Sequence, residues 1–225
     1  KRRPNMEFTK VPTLILSATA DPLILSTWWP LLEWSKRETP DAPYETVVQY
    51  STKATKELLG EGKPTMKRII AATHQLSQIY RDSGRDGLDG VVIMQKTPSE
   101  QLKSIAPDNV AVANFGAVAG INDYENVGFQ MIVGRPLPHP SDIELIAEVI
   151  KDDAIDRKGA DFFMGWYPKR TVPIELKGGG NVPTQMEYHP DPFANAVLKV
   201  ICGGEVAQAS RGRGLRRSET NPLTT

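Results

Sequence analysis

Three short apolar runs, VVIM at 91–94, VAVANF at 110–115 and FQMIVG at 129–134, constrain this 225-residue chain more than any other feature. A strand with one wet face alternates apolar and polar residues, whereas these runs are nearly continuous and need cover on both sides. Segments with helical spacing lie around them. Residues 65–82 place Met66, Ile69, Ile70, Thr73, Leu76 and Tyr80 along one helical face. A short helix is expected after Pro98, and another over 141–151 with Ser141 as its cap. Apolar strands alternating with amphipathic helices predict an α/β fold: a mostly parallel sheet with helices on both faces.

The remaining segments suggest an order of parts. Leu14–Leu16 carries a short buried-strand signal that ends in Ser17, Ala18 and Thr19, and Asp21 with Pro22 opens an apolar helical segment reaching Trp34. SKRETPDAP at 35–43 has the composition of an exposed connection, so a boundary is expected there: 1–43 ends one domain and 44–225 forms the next. YETVVQY at 44–50 is β-branched and aromatic enough for a further strand. Two strand-like runs around three glycines at 170–189 predict an appended β-hairpin, within an insertion of about 155–190, and Pro173 and Pro183 make its strands edge-type. HPDP at 189–192 reads as a turn and helix cap. It opens a helix that Gly203 and Gly204 should end or bend. DFFMGWY at 161–167 and the tryptophans 28, 29 and 34 read as packing.

Composition excludes several classes. With 27 basic and 27 acidic side chains there is no general positive field, so any nucleic-acid contact must come from a local basic surface. Cys202 is the only cysteine, which rules out an intrachain disulfide and any multi-cysteine zinc site and fits a reducing, cytoplasmic setting. His74, His139 and His189 show no ligand spacing, so no metal site is expected. No stretch approaches the roughly 20 apolar residues that cross a bilayer, so no membrane partner is expected. KRRPNMEFTK lacks an initial methionine and an apolar run, and reads as the start of a fragment.

The largest local charge is VAQASRGRGLRRSETNP at 206–222, with Arg211, Arg213, Arg216 and Arg217 within seven positions. Arginine offers a fixed planar fork suited to phosphate oxygens, and neighbouring glycines let backbone approach a ligand. A solvated tail and a sequence-tolerant nucleic-acid patch are both compatible with this composition. Position adds a third reading. Gln208 followed by Gly-Arg and a second arginine resembles motif VI of superfamily 2 helicases. Gln208 lies three residues before Arg211 and five before Arg213, where the family usually has four, while Arg213 and Arg216 keep the usual separation. SATADP at 17–22 resembles motif III. VVIMQKTPSEQL resembles the motif IV region, and 115–136 resembles motif V, with Ala119-Gly120-Ile121-Asn122 where the family shows Arg-Gly-Leu-Asp or a relative.

These resemblances occur in family order and imply the second RecA-like domain of a helicase, of the kind found in helicase-like proteins of phages and plasmids. The chain has no G-x-x-x-x-G-K-[ST]; GEGKPT at 60–65 follows Gly-Lys with Pro64, which spoils a phosphate-binding helix start. The resemblance therefore implies ATP and Mg²⁺ held by a missing N-terminal RecA-like domain, none bound by this fragment alone, and no hydrolysis without that domain. Its implied roles are Arg211 and Arg213 toward the nucleotide, Arg216 in the alternate register, Gln208, Gly120 and Asn122 as nucleotide-binding, and Ser17, Ala18 and Thr19 as coupling. Nucleic acid, DNA sooner than RNA, is the expected partner at Lys96, Thr97, Ser99 and Asn114, which strand ends and a helix start make available. A non-catalytic binding module descended from such a motor is the alternative.

Overall fold

The computed structural model describes residues 15, 19–34, 46–50, 52–83, 87–118, 123–124, 126–164, 166–175 and 179–211. Their elements are α1 (Pro22–Leu25), α2 (Pro64–Ile79), β1 (Gly90–Met94), α3 (Lys96–Lys103), β2 (Val110–Asn114), β3 (Phe129–Ile132), α4 (Pro140–Lys151), α5 (Gly159–Phe163), β4 (Lys169–Glu175), β5 (Asn181–Glu187) and α6 (Pro192–Arg211). The chain divides into two compact units, residues 36–136 with 205–225 and residues 1–35 with 137–204. Among the described residues no helix is long and apolar enough to cross a membrane.

The first unit holds the three apolar runs as a parallel sheet in the order β2-β1-β3. Gly90–Met94 pairs in register with Val110–Asn114 on one side and with Phe129–Ile132 on the other. β1 is buried along its whole length, which is why its run shows no polar alternation. Val92 and Met94 face a cluster completed by Leu59, by Met66 of α2 and by Leu102 of α3. Val91 and Ile93 face the opposite cluster, where helices were expected. There the described cover comes from Val118, Tyr124 and Val127 in the connection between β2 and β3. Right-handed crossovers account for this: the chain moves from β1 to β2 on one flank and then back past β1 to β3, so its two connections lie on opposite faces. Gly90 is glycine because a Cβ there would sit 2.1 Å from the Phe129 ring.

The predicted strand over 44–50 is not formed in its described part. Residues 46–50 belong to no ladder, and Val47, Val48 and Tyr50 are 79%, 65% and 82% exposed. Strand propensity measures fit to a half-buried pleated surface, and without a neighbouring strand it has nothing to act on. The Leu14–Leu16 signal lies mostly outside the described residues.

The second unit packs Ile143 and Ala147 of α4, Phe163 of α5, Tyr167, and Phe193, Ala194, Val197, Leu198 and Cys202 of α6 around one core. α4 opens one residue earlier than expected, with Pro140 at its first position and His139 as the cap; the His139 ring nitrogen, not the Ser141 hydroxyl, accepts from the Ser141 amide. The hairpin forms as predicted, an antiparallel two-stranded sheet in which Pro173 faces Pro183. Two residues without N–H groups opposite one another fit only a position that requires no ladder donor. Of DFFMGWY, Phe163 and Tyr167 are buried, while Phe162, Met164 and Trp166 remain exposed. α6 does not stop at Gly203-Gly204 but continues to Arg211.

Candidate functional site

In an open parallel sheet, ligands bind outside the carboxyl ends of the strands at the point where successive crossovers diverge. The order β2-β1-β3 creates that point beside β1. Because all three strands run the same way, the ends of β1, β2 and β3 reach one edge, with Met94 opposite Asn114 and Ile93 opposite Ile132. Backbone bonds extend this edge beyond the strands: Phe115 N–H donates to Met94 O at 3.1 Å, and Val133 N–H to Ile93 O at 2.8 Å.

α3 starts directly from this edge. Gln95 is its cap residue in extended conformation and makes no side-chain capping bond. Its Nε2 instead donates to Arg135 O at 3.4 Å, tying the segment after β1 to the segment after β3. Lys96 and Thr97, the first two helical residues, are exposed. Their amides have no acceptor within the helix, as in any first turn. The edge thus offers amide donors, an ammonium and a hydroxyl to a negatively charged or polar ligand.

Lys96, Thr97 and Asn114 are therefore brought to one edge of the sheet. Ser99 is fully buried, and its hydroxyl donates to Lys96 O at 2.7 Å, so it braces the first turn from behind. Asn114 is half-buried and donates through Nδ2 to Phe115 O at 2.9 Å. Gln208 and Arg211 lie in the last turns of α6. Thr19 belongs to the second unit. Ser17, Ala18, Gly120, Asn122, Arg213 and Arg216 lie outside the described residues. Gln95 and Arg135 were missed from sequence. Gln95 directly precedes Lys96 at the end of an apolar run, and that position was the available signal; nothing local marked Arg135.

The second unit contains a buried polar chain that could be mistaken for a catalytic pair. Glu144, His189 and Asp191 are 4%, 2% and 8% exposed. The Asp191 amide donates to His189 Nδ1 at 3.1 Å, so the ring proton sits on Nε2, 3.3 Å from Glu144 Oε1. The same Glu144 oxygen accepts from Lys158 N–H at 3.0 Å. Asp191 accepts from Ala194 N–H at 2.9 Å and Asp156 N–H at 3.2 Å, and the His189 amide donates to Asn195 Oδ1 at 3.1 Å. These bonds engage the groups within the fold, and HPDP is the turn and cap that its sequence suggests.

Burial alone would push the Asp191 carboxyl up, but amides of Ala194, Asp156 and Phe193 donate to it, His189 lies beside it, and its pKa falls below the ordinary value. A carboxylate held low stabilises the fold above its unfolded pKa of about 4, and that contribution disappears as pH falls through the folded value. The stability difference between the native chain and Asp191→Asn should therefore be full at neutral pH and shrink below about pH 4. Urea unfolding across pH reads this directly; a difference unchanged at about pH 2 contradicts it.

No family model, curated protein or solved structure matches this chain.

Proposed function

We propose that this chain supplies motifs III to VI of a superfamily 2 nucleic-acid motor, its sheet unit being part of the second RecA-like domain. ATP and Mg²⁺ would be held by a partner RecA-like domain that carries the phosphate loop and the acidic motif. Arg211 and Arg213, or Arg216 in the alternate register, would then stabilise charge on the transferring γ-phosphoryl group. Lys96, Thr97 and Asn114 would meet the sugar-phosphate backbone, DNA sooner than RNA, from the carboxyl edge.

The observation that carries this reading is the β2-β1-β3 parallel order. It sets Lys96 and Thr97 after β1 and Asn114 at the end of β2 on one edge, where open α/β sheets bind ligands. The motif order adds independent support.

The test is ATP hydrolysis by the full-length protein with and without single-stranded DNA. Hydrolysis stimulated by DNA is expected. DNA binding with no hydrolysis favours a non-catalytic nucleic-acid-binding module instead; a protein with neither activity is not the motor, and the remaining alternative is a non-catalytic protein-binding module.

A further inference from the structure

Residues 46–50, TVVQY, are strand-forming by composition and exposed throughout, yet they join no ladder. The parallel sheet of the same unit has β2 and β3 as its outer strands. Along β2 the backbone alternation fixes which groups face outward. Phe115 N–H turns inward and donates to Met94 O at 3.1 Å, so Asn114 and Val112, one and three residues earlier, turn their N–H groups outward. Among the described residues neither amide meets an acceptor.

Such an edge is a template for another strand unless something guards it. The hairpin of the second unit is guarded: Pro173 and Pro183 lie opposite one another and leave both of its edges without a donor at mid-strand. β2, with the sequence VAVAN, has no proline and no charged side chain. An unguarded edge and an unpaired strand segment therefore occur on one chain.

The segment cannot cover the β2 edge of its own sheet. It enters the unit at Ala54, whose carbonyl oxygen would lie 3.1 Å from a Cβ on Gly134, just past β3. From there the outer side of β2 is three interstrand steps away, about 14 Å. The chain from Ala54 back to Tyr50 would reach about 14 Å only when fully extended. It is not extended, because Thr52 N–H donates to Tyr50 O at 2.9 Å and closes a tight turn.

We propose that residues 46–50 of one copy of this chain add as a strand to the β2 edge of a second copy, and the second copy's segment to the first, in a two-fold dimer. Backbone hydrogen bonds supply the affinity, and Val47, Val48 and Tyr50 lose their exposure. The pairing depends on the sheet unit alone and holds with or without the motor reading.

The experiment follows the full-length protein by sedimentation and hydrogen exchange as its concentration rises. The mass should climb from monomer to dimer, and the amides of 46–50 and of Val112 should become protected together. Well above the dissociation constant free monomer grows only as the square root of total protein, so a roughly 100-fold concentration step should slow these amides about 10-fold. Val47→Pro/Val48→Pro, at positions 79% and 65% exposed where the fold is not disturbed, removes an N–H from each side of the segment and should abolish both the dimer and the protection. A monomer at every concentration overturns the proposal. Protection of 46–50 that ignores concentration also overturns it, because the strand then pairs within its own chain, and so does dimerisation undiminished in the double variant.

Discussion

On the motor reading proposed above, replacing Arg213 with alanine in the full-length protein is expected to lower ATP turnover by about 10³-fold or more while ATP binding stays largely intact. The asymmetry follows from when the charge develops. In the ground state, Mg²⁺ and the phosphate loop of the partner domain would already neutralise most of the triphosphate, so one missing guanidinium would change affinity little. In the transition state, charge spreads over the equatorial oxygens of the transferring group, and a planar donor fork aimed there stabilises it by about 4 kcal/mol. Arg213→Lys keeps the charge but loses the fork, and should recover only part of the rate. Comparing Arg211→Ala, Arg213→Ala and Arg216→Ala by single-turnover hydrolysis also resolves the register that the spacing from Gln208 leaves open. Unchanged turnover in both Arg211→Ala and Arg213→Ala would contradict their role, and unchanged turnover in all three variants would remove the arginines from the mechanism.

The second large effect concerns stability. Glu144→Ala should destabilise the second unit by about 3 kcal/mol, because it strips the acceptor from a part-buried donor, Lys158 N–H, and from a buried one, His189 Nε2–H. The imidazole cannot turn to water, since it is 2% exposed and its other nitrogen is bonded to the Asp191 amide. Glu144→Gln retains one acceptor oxygen of similar size and should cost about 1 kcal/mol. Hydrogen exchange of the α4 and α6 amides measures both. Equal losses for the two variants would mean that charge, and not the acceptor, is what His189 requires.

The strands were legible because their signal is local and repeated. A run such as Val91–Met94 can exist in water only if covered on both sides, and the parallel sheet follows from three such runs with room for crossovers between them. The hairpin was legible from glycines and prolines, whose backbone limits need no neighbours to act. HPDP was legible for the same reason. The segment at 44–50 misled because β-branched residues report a preference that only a partner strand can realise. Gly203-Gly204, expected to end or bend the helix, does not end it, because local propensity is weaker than the burial of the turns before it. At the candidate edge, Lys96, Thr97 and Asn114 were foreseeable as strand-end residues, whereas burial of Ser99 was not, because a serine beside proline in a polar stretch looks exposed.

By itself the amino-acid sequence determined the strand runs, the hairpin and the turn before α6, all consequences of nearest-neighbour chemistry. Only the tertiary structure decided that β1 lies between β2 and β3, that Gln95 reaches Arg135, and that Glu144 finds His189 across 45 residues of chain. These depend on which surfaces remain after the apolar runs are buried, a global constraint that no short window of residues contains.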